Sequence, residues 1–153
     1  MATLDNRIPP PALVLIAGAL MATARLGSAA PALPDGWRFG LAVAFFVAAG
    51  VFGAPAFAAF GRAKTTINPV RIHEGSSLVT TGIYRFTRNP MYVALTSLLC
   101  AWAVLLNQPL AFAGPVLFAL FINRFQIVPE ERVLTQKFGA AYEAYRRSVR
   151  RWL

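Results

Sequence analysis

Between Pro90 and Asn123 the chain runs for 34 residues without a charge. About 20 residues cross a bilayer as a helix, so this run is too long for one span and long enough for two short ones. Asn107-Gln108-Pro109 lies near its middle and supplies a turn. Folded there, the run becomes a helical hairpin whose two ends return to the same membrane face. Each end carries a polar cluster. Leu78 to Tyr92 precedes the hairpin and includes Tyr84, Arg88 and Asn89; Pro129-Glu130-Glu131-Arg132 follows it. The hairpin thus brings together residues that are far apart in sequence, which is how a site is assembled.

Composition supports a membrane setting. Of 153 residues, 57% are hydrophobic and 14% charged, which argues against a soluble globular chain. Residues 8–24 and 39–61 are also uncharged. With the hairpin they give four expected spanning helices. A secretory leader is the rival reading of the first stretch, with Ser28-Ala29-Ala30 as a cleavage site. Asp5 cancels Arg7 there and three prolines follow, so a retained helix is the better reading. The net charge of +9 is placed unevenly. Arg62, Lys64, Arg71, Arg85 and Arg88 precede the hairpin; Arg124, Arg132, Lys137, Arg146, Arg147, Arg150 and Arg151 follow it; the loop around Asn107 has none. This is the positive-inside pattern rather than a nucleic-acid footprint, and it places both termini in the cytoplasm. Cys100 and His73 are each single, so neither a disulfide nor a metal site is expected.

The expected architecture is an all-α membrane protein forming one domain over residues 1–153. Residues 1–61 hold two helices, the first from Ala12 to Arg25 and the second from Trp37 to about Phe60, with Pro55 kinking it or ending it early. Residues 62–89 form a connection whose length of about 30 residues points to function. Residues 90–126 are the hairpin, opened by Pro90 with Asn89 as its cap. Residues 129–153 are a separate amphipathic tail. Leu134, Phe138, Tyr142, Tyr145, Val149 and Trp152 recur at spacings of three and four, so the tail lies on a membrane surface or packs on a neighbouring helix. Gly139 breaks it in two.

Each candidate residue has an ordinary reading. Glu130 and Glu131 suit the first turn of a helix behind Pro129. Arg88 suits a headgroup anchor, and Tyr84 and Tyr92 an aromatic belt. Their convergence on one face favours chemistry. Two carboxylates at a membrane interface are costly unless they meet a cation.

The pattern Leu-Val-Thr-x-Gly-x-Tyr-x-x-x-Arg-Asn-Pro-x-Tyr, then a hairpin, then Glu-Glu-x-x-Leu and Phe-Gly-x-x-Tyr-x-x-Tyr resembles one family. It is the integral-membrane methyltransferases grouped with isoprenylcysteine carboxyl methyltransferase and phospholipid methyltransferase. The resemblance covers about residues 65–150. It implies S-adenosylmethionine as methyl donor, bound at the cytosolic face. It also implies a pocket lined by Ser77, Leu78, Val79, Tyr84, Asn89, Pro90, Met91 and Tyr92. Glu130, with Glu131 beside it, would hold a polar end of the donor. Arg88 and Glu130 are the catalytic candidates. The residue types suit this chemistry, because methyl transfer is an in-line displacement that needs alignment and dryness more than acid–base groups. Prenylcysteine-type members carry His where Asn89 stands, and some carry Arg at the position of Gln126; here Arg124 is the nearest arginine. Arg124 and Gln126 are therefore candidates for the acceptor, which would be a lipid, amine, thiol or other apolar molecule entering from the bilayer. The resemblance is to bacterial-type members, which implies an inner membrane. Two other readings compete: a four-helix transporter, disfavoured because the uncharged stretches hold no ionisable coupling residue, and a non-catalytic membrane scaffold.

Overall fold

The computed structural model of the chain describes residue 5 and residues 8–23, 33–63 and 78–153. Among the described residues the secondary structure is helical, without strands. α1 spans Pro10–Thr23 and α2 spans Asp35–Ala63. A 3-10 turn at Gly82–Arg85 leads to α3, Pro90–Leu106. A second 3-10 turn, Pro109–Phe112, opens α4, Ala113–Ile122. A π-helical turn at Asn123–Ile127 joins α4 to α5, Val128–Phe138, and α6 spans Ala140–Ser148.

The hairpin turn falls where the sequence put it. Asn107 closes α3 in the left-handed region (φ 56°), which asparagine tolerates. Its side chain accepts a bond from the Leu33 amide at 2.8 Å and donates to the Leu33 carbonyl at 3.4 Å. The hairpin tip is thereby tied to the segment ahead of α2.

Two expectations are corrected. First, α2 runs to Ala63, slightly beyond the expected end near Phe60, so of the two effects expected of Pro55 an early end does not occur. Second, the fourth helix does not end near Gln126. Pro109–Phe138 is one helical rod of 30 residues. Pro129 lacks an amide donor and would clash with a carbonyl in the turn before it, and the widened π turn of residues 123–127 accommodates both. Of the four expected spans, α2 and this rod are long and apolar enough to cross a membrane, and α1 and α3 are shorter apolar helices of 14 and 17 residues. Prolines set where α1 and α3 begin, and the Asn107-Gln108-Pro109 turn sets where α3 ends.

α3 touches α1, α2 and α4, and α1 also touches α4. Small residues let the helices approach closely, which matters where lipid removes the usual hydrophobic drive. A Cβ on Gly53 would stand 3.2 Å from Ala94 of α3. Trp102 of α3 donates its indole N–H to the Gly18 carbonyl of α1 at 3.0 Å. Met21 of α1 lies over Gly114 of α4 so closely that a Cβ there would overlap its sulfur. One core cluster joins Met21, Tyr92, Leu99, Ala103, Phe118, Ile122 and Ile127; a second joins Ala56 and Ala59 of α2 to Tyr84. The outside of α2 is apolar, with Trp37, Phe46 and Phe57 exposed. Such a continuous apolar exterior suits lipid.

Gly114→Ala should lower stability by about 1–3 kcal/mol through overpacking against Met21. Adding Met21→Ala should recover part of the loss in detergent melts. A Gly114→Ala protein that melts like wild type would mean that α1 is not seated on α4 in this way.

Candidate functional site

Residues 84–92, 123–131 and 142–152 meet at one end of the bundle, and Glu131 is where they join. Arg88 approaches it at 2.9 Å through Nη1. Arg151 forks onto it, with Nη2 at 2.6 Å from Oε2 and Nε at 3.0 Å from Oε1. A third nitrogen of Arg151 donates to Asn123 Oδ1 in the π turn at 3.0 Å. The side chains of Arg88 and Glu131 are 10% and 11% exposed. A carboxylate so far from water needs such partners. Hydrogen bonding to Glu131 raises the Arg151 pKa.

The chain end fastens this node to the start of α3. The Arg88 amide donates to the Arg150 carbonyl at 2.9 Å. The Arg151 carbonyl accepts from Thr87 Oγ1 at 3.2 Å and from Asn89 Nδ2 at 2.9 Å. Asn89 occupies the expected cap position of α3, but its side chain makes no capping bond and serves the chain end instead. Trp152 packs against the larger core cluster. α6 turns its apolar side inward. Tyr145 donates to the Tyr84 carbonyl at 2.7 Å, and Tyr142 accepts from Arg88 at 3.4 Å. Burial pushes the Tyr142 phenol up to about 12, with the Glu131 charge adding and Arg88 opposing. Burial likewise raises Tyr145. Of the two placements open to the tail, α6 packs on the protein, against the Tyr84 turn and Arg88.

Glu130 is different. Tyr92 donates its phenol to Glu130 Oε1 at 2.5 Å, and among the described residues no cation pairs with this carboxylate. Tyr92 is buried and Glu130 half-buried. Tyr84 stands near enough for both Tyr145 and Glu130 to act on its phenol, whose pKa is raised chiefly by burial. Val79, Ile83 and Met91 pack with Tyr84 against α2. Pro90 is buried at the first turn of α3, and Leu78 is half-buried at the edge of the described stretch. The structure therefore gathers Val79, Tyr84, Arg88, Asn89, Met91, Tyr92, Glu130 and Glu131 at one end. Ser77, like His73, lies outside the described residues.

Arg124 and Gln126 diverge. Arg124 is exposed, 3.8 Å from Asp5 and stacked on Phe125. Gln126 is wholly buried and donates to the Ile8 carbonyl at 2.9 Å, leaving its Oε1 without a partner. Sequence reasoning missed the roles of Arg151, Asn123 and Thr87. Arg151 belongs to a basic run with Arg146, Arg147 and Arg150, and nothing in the run marks the one that turns inward.

The model of the family described as phospholipid methyltransferase matches residues 37–141. An uncharacterised protein of Haemophilus influenzae is 48% identical over 63 residues, 41% of this chain and the whole of that protein. A methanethiol S-methyltransferase of Bradyrhizobium diazoefficiens is 38% identical over 49% of this chain and 28% of its own length. A protein-S-isoprenylcysteine O-methyltransferase of Schizosaccharomyces pombe is 37% identical over 47% of this chain and 30% of its own. The chain thus spans less than a third of the length of these two methyltransferases. No solved structure matches the chain.

Glu131→Gln should cost about 2–4 kcal/mol in detergent melts, because it strands two arginines, one of them nearly buried. Glu130→Gln should cost less than about 1 kcal/mol, since among the described residues it breaks no ion pair. Equal losses would remove the distinction drawn between them. Alkali offers a second check. Below the ordinary tyrosine value of 10.0 the Tyr142 phenol is protonated in folded and unfolded chains alike. From there to about 12 only the unfolded chain gives up the proton, so stability should fall as pH rises through that window. Tyr142→Phe should flatten part of that slope.

Proposed function

The chain belongs to the phospholipid methyltransferase family, and from that membership we propose that it is an S-adenosylmethionine-dependent membrane methyltransferase acting on a lipid-like or small apolar acceptor at the cytoplasmic face. The observation that carries the reading is the contrast between two adjacent carboxylates. Glu131 has both oxygens occupied by arginines, whereas Glu130 takes one bond from Tyr92 and has no cation among the described residues. A carboxylate that meets no cation among the described residues, at the end of an apolar helix, fits a cationic ligand. When bound, S-adenosylmethionine supplies a methyl group on a positively charged sulfur.

This chain's residues then have distinct parts. Glu130 holds the ammonium end of the donor, and Tyr92 fixes the carboxylate that does so. Tyr84, Val79, Met91 and Pro90 form the apolar wall that excludes water, and aromatic faces tolerate the positive charge. Leu78 extends that wall, and Asn89 stands beside it at the start of α3, its side chain held by the Arg151 carbonyl. Arg88, the other catalytic candidate, acts through Glu131 by keeping that carboxylate away from the donor. Arg124 and Gln126 have no shared part: Gln126 is buried against the Ile8 carbonyl, and of the two only Arg124 is exposed to meet an acceptor. The O- and S-methyltransferases among the relatives support an oxygen or sulfur acceptor.

In the same reading the chain is one domain over residues 1–153, with 62–89 as the donor-binding connection. α2 and the long rod cross the bilayer, and α1 and α3 complete four spans in an inner membrane. The arginines around the site support a cytoplasmic position for it and for both termini.

S-adenosylhomocysteine titrated into nanodisc-held protein should bind saturably. Glu130→Gln should weaken it more than tenfold, since a hydrogen bond to a charged group contributes about 1.5–3 kcal/mol. No binding to folded wild type would refute the reading.

A further inference from the structure

The arginines that end the chain are not equivalent. Arg146, Arg147 and Arg150 lie exposed, in keeping with a basic membrane face. Arg151 turns inward and makes contacts across chain gaps of 20 residues or more. Its guanidinium forks onto Glu131 and reaches Asn123, while its carbonyl receives Thr87 and Asn89. Beside it the Arg150 carbonyl receives the Arg88 amide at 2.9 Å. Residues 149–153 thus form a strap between the turn that opens α3 and the α4–α5 junction.

We propose that Arg151 is a positioning residue for the donor site: it holds the Thr87–Asn89 turn and the Glu131 end of α5 in fixed register, and so sets where Tyr92 and Glu130 stand. Tyr92 lies three residues beyond Asn89, and Glu130 directly precedes Glu131. Their bond of 2.5 Å joins the two elements that the strap fastens. A shift of either element would open it. The fork explains why the residue is arginine. Three nitrogens, Nε, Nη1 and Nη2, are used at once, and a lysine ammonium cannot present that planar set. The Asn89 amide follows the same logic. It is drawn to the Arg151 carbonyl instead of capping α3, so the strap also fixes this side chain.

The effect on the donor rests on the proposed function, but the register itself can be read without any ligand. Full-length wild type, Arg151→Ala and Arg151→Lys are placed in nanodiscs. Amide exchange is followed by mass spectrometry, and S-adenosylhomocysteine is titrated by calorimetry. In Arg151→Ala, exchange across residues 86–93 should rise about tenfold with α2 unchanged, as expected for a local rather than a global opening. The dissociation constant for S-adenosylhomocysteine should rise about tenfold, as when one partner of a desolvated ion pair is removed. Arg151→Lys should fall between the two. Unchanged exchange in folded Arg151→Ala overturns the proposal. So does raised exchange with unchanged affinity, because the strap would then stabilise without positioning. If Arg151→Ala does not fold, wild-type exchange or wild-type affinity in Arg151→Lys overturns it. If wild type binds no S-adenosylhomocysteine, the donor reading falls, and exchange alone decides whether Arg151 sets the register.

Discussion

Glu131 is 8% exposed, and a carboxylate so placed is tolerable only beside cations. Its two cations come from opposite sides of the hairpin: Arg88 from the turn before α3, and Arg151 from the strap after α6. That requirement forces the chain to close on itself. The start of α3, the Glu131 turn of the long rod and the strap must all come within about 3 Å contacts of one another. Successive residues on a helix point about 100° apart. When Glu131 faces the arginines, Glu130 is therefore turned elsewhere, towards Tyr92. The contrast between the two carboxylates follows from helix geometry once one of them is anchored.

The length of the rod bears on where that node would stand in a bilayer. Thirty residues of helix extend about 45 Å, against about 30 Å of hydrocarbon. Glu130 and Glu131 come after its first 20 residues, where a crossing rod emerges into the headgroups. The π turn at residues 123–127 lies just before them. It absorbs the missing donor of Pro129 and leaves Asn123 Oδ1 available to Arg151. A local irregularity in the backbone and an ion-pair node are thus parts of one construction.

Much of this was legible in the sequence. The uncharged run and Asn107 announced the hairpin, because lipid forbids charge and left-handed backbone favours asparagine. Pro90 marked the start of α3, and Gly139, at φ 51° and ψ −124°, marked the break between α5 and α6. The family pattern was visible in the two polar clusters, and the comparisons support it. Other features depend on tertiary contacts that no local pattern encodes. The passage of a helix through Pro129 requires a wider turn before it. The side chain of Asn89 had a local use as a cap and took a distant one. The face of α6 could suit a membrane or a protein, and Tyr84 and Arg88 decided the matter. Arg151 was hidden among arginines of identical chemistry.

The charge balance suggests how such a site would let go of its product. Arg88, Arg151 and Glu131 together carry one net positive charge, which Glu130 offsets when it is ionised. The donor in the proposed reading carries an ammonium, a carboxylate and a sulfonium, and so is a cation. Transfer of its methyl group removes the sulfonium charge but leaves the ammonium. Glu130 then keeps its direct partner and loses the longer-range attraction. At about 6 Å and an effective dielectric near 20 that attraction is about 3 kcal/mol before screening. Binding by one carboxylate that has no cation among the described residues, with its neighbour already neutralised, makes affinity depend on the charge that the reaction consumes. Had Glu131 also been free, the spent donor would face two carboxylates through its remaining ammonium and would be held more tightly.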